Sequence, residues 1–398
     1  MKVAITNIGS VLTGSLDQPS SDADTILMSD GRIVAVGTAS AEDVEACDVV
    51  IDAAGTIAAP GLIDSHVHIT FGDYTPRQKT VGFLESYTHG GVTTSISASE
   101  VHVPGRPKDP AGVKALAVAA RGSFLDFRPG GMRVHAGSII LEPGLTAKDL
   151  GEVAAEGVWL AKAGFGAFAT PFDYRELVGA AKAAGMVTTM HTGGASIPGS
   201  SGIWADHLLA VDPDVSFHVN GGPIAMPERD FARVLNETTI ALQLCTAGNL
   251  RTALLLTKLT REAGAFERLL IATDTPTGSG IMPLGMLYMI SYLSGLGGIE
   301  PELAVAAATG NNAKAFRLNA GVIAPGRDAD VILLDACDGG ACNDALSALR
   351  NGDITAVSAV VTAGVPRFVG KSRNTPPGIR KVRVARSTIR QDFSGAGH

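Results

Sequence analysis

The chain has 398 residues, 45% of them hydrophobic and 18% charged, with 48 Gly, 20 Pro and a formal net charge of −7. This composition excludes the disordered and fibrous classes and leaves enough apolar material for a large buried core. No basic run is dense enough to follow a phosphate backbone, which excludes nucleic acid as the expected partner and points to a small molecule.

The N-terminal "MKVAITNIGSVLTG" lacks the apolar core and cleavage site of a secretory leader and reads as a strand, so a cytoplasmic location is expected. Residues 1–59 continue as short strands: "KVAITNIGSVL", then "TILMSDGRIVAVG" turning at Asp30-Gly31, then "DVVIDAAGTIAAP". So few strands cannot close a core alone. Their partners are expected in "GVIAPGRDADVILLD" and "AVVTAGVPRFVG" near the other end. Residues 1–59 and 319–385 are therefore read as one small composite β-sandwich domain, with 60–318 inserted as a second domain and 386–398 as a C-terminal tail.

Within 60–318, apolar strands alternate with helical patterns: "LIDSHVH", "GVTTSIS", "MRVHAGS", "GVWLAK", "MVTTMH", "DVSFH", "IALQLC" and "RLLIATD". Eight repeats of that alternation predict an α/β chain built as a (β/α)8 TIM-type barrel, whose chemistry sits at the C-terminal ends of the strands. The strand ends carry His66 and His68, Lys162, His191, His218 and Asp274. His66 to Lys162 is 96 residues, or three units of 32; the next intervals are 29 and 27, and His218 to Asp274 is 56, or two units of 28. A barrel unit averages roughly 31 residues, so these groups are expected at one mouth.

Histidines at i and i+2 of a strand face the same side, which lets "HVH" present both imidazoles to one ion. Imidazole and carboxylate donors suit divalent metals, zinc first and iron, manganese or cobalt as alternatives, and two such ions can share a hydroxide. Asp274 is expected to act both as ligand and as the group that carries a proton to the leaving nitrogen. Lys162 lies in the otherwise apolar "GVWLAKAGFG", where an uncompensated ammonium costs several kcal/mol or more. Neighbouring cations favour the neutral amine, the form that reacts with CO2, so a carboxylated Lys162 bridging two metal ions is expected.

The uncharged stretch at 275–299 is long enough for a bilayer, but Pro283 and its glycines interrupt it, and a helix buried in the fold or at a subunit contact is expected instead. The four cysteines, Cys47, Cys245, Cys337 and Cys342, are scattered as free thiols would be.

"APGLIDSHVHI", with the later "MHTGG", "HVNGG" and "ATDTP", resembles the amidohydrolase superfamily over nearly the whole chain. Within it, "GDYTPRQKT", "PGRPKD", "HTGGASIPGSS", "NGGP", "GSGIMPLG", "ATGN" and "KSRNTPP" look like the enamidases, which open 6-oxo-1,4,5,6-tetrahydronicotinate and release ammonia. The resemblance implies His66, His68, His191, His218 and Asp274 as metal ligands, a homotetramer and a cyclic amide or enamide substrate carrying a carboxylate. It departs at strand 4, where enamidases have a glutamate within "GEVGLG" and this chain has "KAGFG". A carboxylate needs a cation, and Arg77 and Arg106, each beside a proline, are the preferred pair, with His102 and Cys245 as further lining residues. Other amides, such as an N-acyl amino acid, a lactam or a hydantoin-like ring, are the alternative substrates, and a scaffold without chemistry is the remote one.

Overall fold

The computed structural model describes the chain except residues 70, 72–79, 100–104, 196–199, 223, 277–279, 392 and 394–398. From the N-terminus come β1 (Lys2–Thr6), β2 (Ser10–Leu12), β3 (Ser20–Ser21), β4 (Thr25–Ser29), β5 (Arg32–Gly37), β6 (Val49–Asp52) and β7 (Ile57–Pro60). The middle supplies β8 (Leu62–Val67), β9 (Val92–Ser97), β10 (Arg133–His135), β11 (Ser138–Ile140), β12 (Leu160–Ala163), β13 (Val187–Met190), β14 (Val215–Ser216), β15 (Ala241–Cys245) and β16 (Leu269–Ala272). The C-terminal part adds β17 (Val331–Asp335), β18 (Ala356–Thr362), β19 (Val365–Val369) and β20 (Arg383–Ser387).

Both chain ends enter two mixed sheets, one in the order β20-β6-β1-β4-β5 and the other β19-β18-β17-β7-β2-β3. Val3 and Ile5 of the first share a core with Val331, Leu333, Ala359 and Val361 of the second. Strand alternation sends Ile332 and Leu334 to the opposite face, into the large core beneath the middle of the chain. The turn between β4 and β5 falls at Asp30-Gly31, with φ of 51° and 76°, the left-handed pair that a tight hairpin requires. "KVAITNIGSVL" is two strands in different sheets, because Asn7 takes a φ of 54° and redirects the chain. The expected tail at 386–398 also needs correction. Arg386 pairs with Val50 in β20, and Phe393 is buried with its carbonyl accepting from Val369 N, so apolar burial ties that end to the sheet.

In the middle, consecutive strands pair in parallel: β8 with β9, β9 with β10, and β11 through β16 each with the next. The expected third strand is split. Gly137, at φ 94°, lies where a Cβ would meet Ala117 O at 2.8 Å, and this kink divides the position into β10, which follows β9, and β11, which precedes β12. The two ends of the series meet through the Val67–Thr275 bridge, with Asp274 N donating to His66 O at 3.0 Å and His68 N to Thr275 O at 2.8 Å.

Ile63, Ile96, Leu160, Val187, Val215, Phe217 and Leu270, one or two from each of several successive strands, form an apolar cluster with Ala313 and Phe316. Two residues further along β12 and β15 the same strand faces carry Lys162 and Gln243. An apolar floor is thus overlaid by a polar layer. The helix Gly285–Gly295 buries Met286, Leu287, Met289, Ile290 and Leu293, while Tyr288 and the following Leu296 are 52% and 70% exposed. Among the described residues no helix is long and apolar enough to cross a membrane. All four cysteines are unpaired.

Candidate metal centre

The strand ends bring the expected groups together. Asp274 Oδ1 lies 3.1 Å from His66 Nε2 and 3.0 Å from His68 Nε2, so two residues of β8 and its extension meet the residue that follows β16. His191 Nδ1 lies 3.1 Å from His218 Nε2, and the His66 and His218 ring centroids are 5.3 Å apart, which joins both pairs in one cluster. His218 and Asp274 have φ of 33° and 58°. Left-handed backbone is uncommon for such residues and is retained where surrounding contacts demand it.

Two tautomers follow from backbone contacts. His191 Nε2 is 2.8 Å from Gly194 O and His218 Nδ1 is 3.0 Å from Thr192 O. A carbonyl only accepts, so both of these nitrogens carry hydrogen, and in the neutral rings His191 Nδ1 and His218 Nε2 are left as lone pairs facing each other. Burial, followed by the charge of Lys162, pushes His191 down to about 4; burial and His191 take His218 well below its usual value. Neither ring holds a proton at neutral pH that would reconcile the two lone pairs. A cation bound beside them would, and imidazole nitrogens in this arrangement suit a divalent transition metal. Burial pushes the Asp274 carboxyl up, but His66, His68 and His218 outweigh it and hold the group well below the carboxylate range, so the side chain is an anion.

Lys162 is fully buried on β12, and its Nζ has no hydrogen-bond partner among the described residues. Its near neighbours are aromatic faces: Phe217 at 4.0 Å and Phe165 at 5.3 Å from the amine. Those faces favour a cation by on the order of 2 kcal/mol. Burial opposes it more strongly, and the amine falls from 10.5 to about 7 despite the pull of Asp274. An orphaned amine that reaches its neutral form near neutral pH is where carboxylation is chemically open.

The expected substrate residues fare differently. Arg77 and His102 lie outside the described residues. Arg106 is engaged inside the protein, its guanidinium 2.5 Å from Glu142 Oε1 and donating to Phe165 O at 2.9 Å, with 3% of the side chain exposed. Glu142 Oε2 in turn accepts from Ala167 N at 2.6 Å. Arg106 is therefore a latch joining three strand-end segments, and its buried ion pair removes it from the role of substrate clamp. Cys245 is wholly buried with Sγ 3.8 Å from His66 Nδ1, behind the imidazole and away from Asp274, so it backs the ring where lining of a substrate pocket was expected.

Gln243 and Glu142 are among the buried polar residues that the strand-end pattern does not single out. Gln243 had a legible signal, since it stands two residues before Cys245 on one strand face. Glu142 follows the split strand, and nothing local marks it. Behind Asp274, Asp64 accepts from Thr273 Oγ1 at 2.6 Å, and burial raises its carboxyl to about 7.

A family model described as the amidohydrolase family matches residues 57–367. The chain belongs to the amidohydrolase family. This amidohydrolase is 43% identical to the enamidase of Eubacterium barkeri over 384 residues, covering 96% of this chain and 99% of that protein. It superposes on the crystal structure of enamidase with a TM-score of 0.92, covering 96% of this chain and 100% of that one at 43% identity. An amidohydrolase from a Sargasso Sea environmental sample shares the fold, at a TM-score of 0.66 and 16% identity over 93% of each chain. A shorter likeness, 35% over 96 residues, is to the imidazolonepropionase of Paenarthrobacter aurescens and covers 24% of this chain and 23% of that protein.

Proposed function

We propose that this amidohydrolase hydrolyses a C–N bond in a cyclic amide or enamide that carries a carboxylate. The observation that carries the reading is the end-to-end likeness to enamidase, in sequence and in fold. The architecture is read as a (β/α)8 barrel spanning about residues 60–318 with a β-sandwich from both ends, which the closed order of parallel strands and the two facing sheets support.

His66, His68, His191, His218 and Asp274, with Lys162 as its carbamate, would hold two divalent ions, zinc first. Carboxylation forms a bond from the amine nitrogen to the carbon of CO2 and releases one proton to solvent, replacing a neutral side chain by an anion with two oxygens. Bound divalent ions supply Lewis-acid polarisation of a carbonyl and acidify water. The protein's own part is positional: Asp274, ionised and reached by both His66 and His68, accepts a proton at its carboxylate and delivers it to the departing nitrogen. Phe165 and Phe217 keep water from the Lys162 amine. Arg77 is assigned the substrate carboxylate, and the protein is assigned a homotetrameric state in the cytoplasm.

Ammonia release from a six-membered unsaturated lactam bearing a carboxylate, assayed beside N-acyl amino acids, tests the reading. Turnover of the lactam is expected; turnover of the acyl amino acids alone would replace the cyclic enamide with another amide.

A further inference from the structure

Which nitrogen of His66 carries the proton is decided from a distance, by a row of buried amides and a hydroxyl reaching out of the centre. His66 Nδ1 lies 2.7 Å from the Gln243 side chain. Unlike the backbone carbonyls beside His191 and His218, a side-chain amide offers either an acceptor or a donor, depending on how it is turned. Its orientation is set by its neighbours.

Asn312 begins the chain of constraint. Its Nδ2 lies 3.1 Å from Ile63 O, 2.9 Å from Ile271 O and 3.3 Å from Ala307 O. Three carbonyl oxygens admit only the NH2 group on that side, so Oδ1 points the other way, to Ser65 Oγ at 2.7 Å. The hydroxyl has one hydrogen, and Asn312 Oδ1 takes it. Ser65 Oγ can then only accept from Gln243, whose Nε2 sits 2.7 Å away. The Gln243 oxygen is thereby turned toward His66, where the Cys245 thiol, 3.6 Å from the same oxygen, also donates. His66 must present Nδ1–H to it, and Nε2 is left as a lone pair facing Asp274. His66, Ser65, Gln243 and Asn312 are all buried to 1% exposure or less, so water does not loosen any link.

We propose that Gln243, held by Ser65 and Asn312, is a positioning residue that fixes the His66 tautomer and keeps Nε2 free for a metal ion. The inference rests on the reading of His66 as a ligand. Without the relay, Asp274 is the stronger acceptor beside the ring, and the proton transfers to Nε2, where it blocks the metal. Removing a partner of this kind lowers metal affinity or activity by about 10- to 100-fold.

The test uses the full chain, stripped of metal and held at pH 8, where a free imidazole is neutral. Histidine 15N shifts and long-range 1H–15N couplings report the tautomer without any turnover. The wild-type protein is expected to show His66 protonated on Nδ1. Gln243→Met, close in volume, should move that proton to Nε2, and Ser65→Ala should give a mixture, because the Gln243 amide can then turn. With zinc restored, both variants should lose it to a chelator faster, Gln243→Met by about 10- to 100-fold. An unchanged tautomer in both folded variants overturns the proposal even if zinc is lost faster, since that loss would be structural. Failure of the wild-type protein to bind zinc would instead strike the reading of the metal centre.

Discussion

Lys162 is the residue whose chemistry depends most on its surroundings. Its amine sits at about 7 in the folded protein and 10.5 in the unfolded chain, so between those values the unfolded chain binds more protons. Metal-free protein kept free of CO2 therefore gains stability as pH rises from about 7 toward 10.5, and that contribution is absent below 7. Urea unfolding at about pH 7.5 and about pH 9.5 should differ by on the order of 2 kcal/mol, and Lys162→Met should flatten the difference. In the loaded enzyme, Lys162→Ala should lose metal and activity together, and short carboxylic acids in the buffer should partly restore both; a fully active variant with one ion per subunit would remove the bridge. Arg106 makes the opposite case, a cation whose place is structural. Arg106→Met leaves the Glu142 carboxylate buried without its countercharge, and unfolding free energy should fall by about 3–5 kcal/mol, with the double change Arg106→Met, Glu142→Leu recovering much of it. A pure rise in KM for a carboxylate substrate, with stability unchanged, would return Arg106 to the clamp.

At the scale of elements, the segment after β12 has to pass directly over β13, and glycine makes this possible. Gly164 has φ 104°, and a Cβ there would lie 2.6 Å from the Cβ of His191, whose ring is already fixed by Gly194 O. Gly164→Ala should therefore lower stability by about 1–3 kcal/mol and loosen metal binding through His191. Gly179 is the control. It sits in the helix Arg175–Ala183 with nothing within 4 Å of its added Cβ, so Gly179→Ala should stabilise by about 0.5–1 kcal/mol in the same thermal melts. Equal effects at the two positions would show that the close approach at Gly164 is immaterial.

On the scale of the whole molecule, the two units are fastened by charge as well as by the shared apolar face. Asp328 accepts from Arg32 of β5 and from Arg133 of β10, joining the outer sheets to the strand series that carries the site. "KSRNTPP" belongs to this fastening too: Ser372 Oγ donates to His89 O at 2.6 Å and Asn374 Nδ2 to Ser86 O at 2.7 Å, at the end of the helix Thr80–His89. It is a dock between units. The exposed Tyr288 and Leu296 fit the proposed tetramer, and sedimentation at micromolar concentration should give a single oligomeric species; a monomer would leave that assembly without support.

Periodicity and spacing by themselves determined where the parallel strands lie and which of their last residues gather in one buried cluster. Alternation along a strand and the length of a strand–helix unit are local properties, and His66, His68, Lys162, His191, His218 and Asp274 stand in register with them. Local rules also made the Asp30-Gly31 hairpin legible, because left-handed φ selects its residues. They were silent on groups that depend on a partner far away in the chain. Arg106 looked free until Glu142 and the Phe165 carbonyl were folded against it, and Gln243 looked like an ordinary strand residue until Ser65 and Asn312 turned its amide toward His66. Whether a cation is spent inside the protein, and which face a side-chain amide shows, are questions of hydrogen-bond and charge satisfaction in three dimensions. Only the tertiary structure decides them, since each partner is chosen by what else is buried beside it.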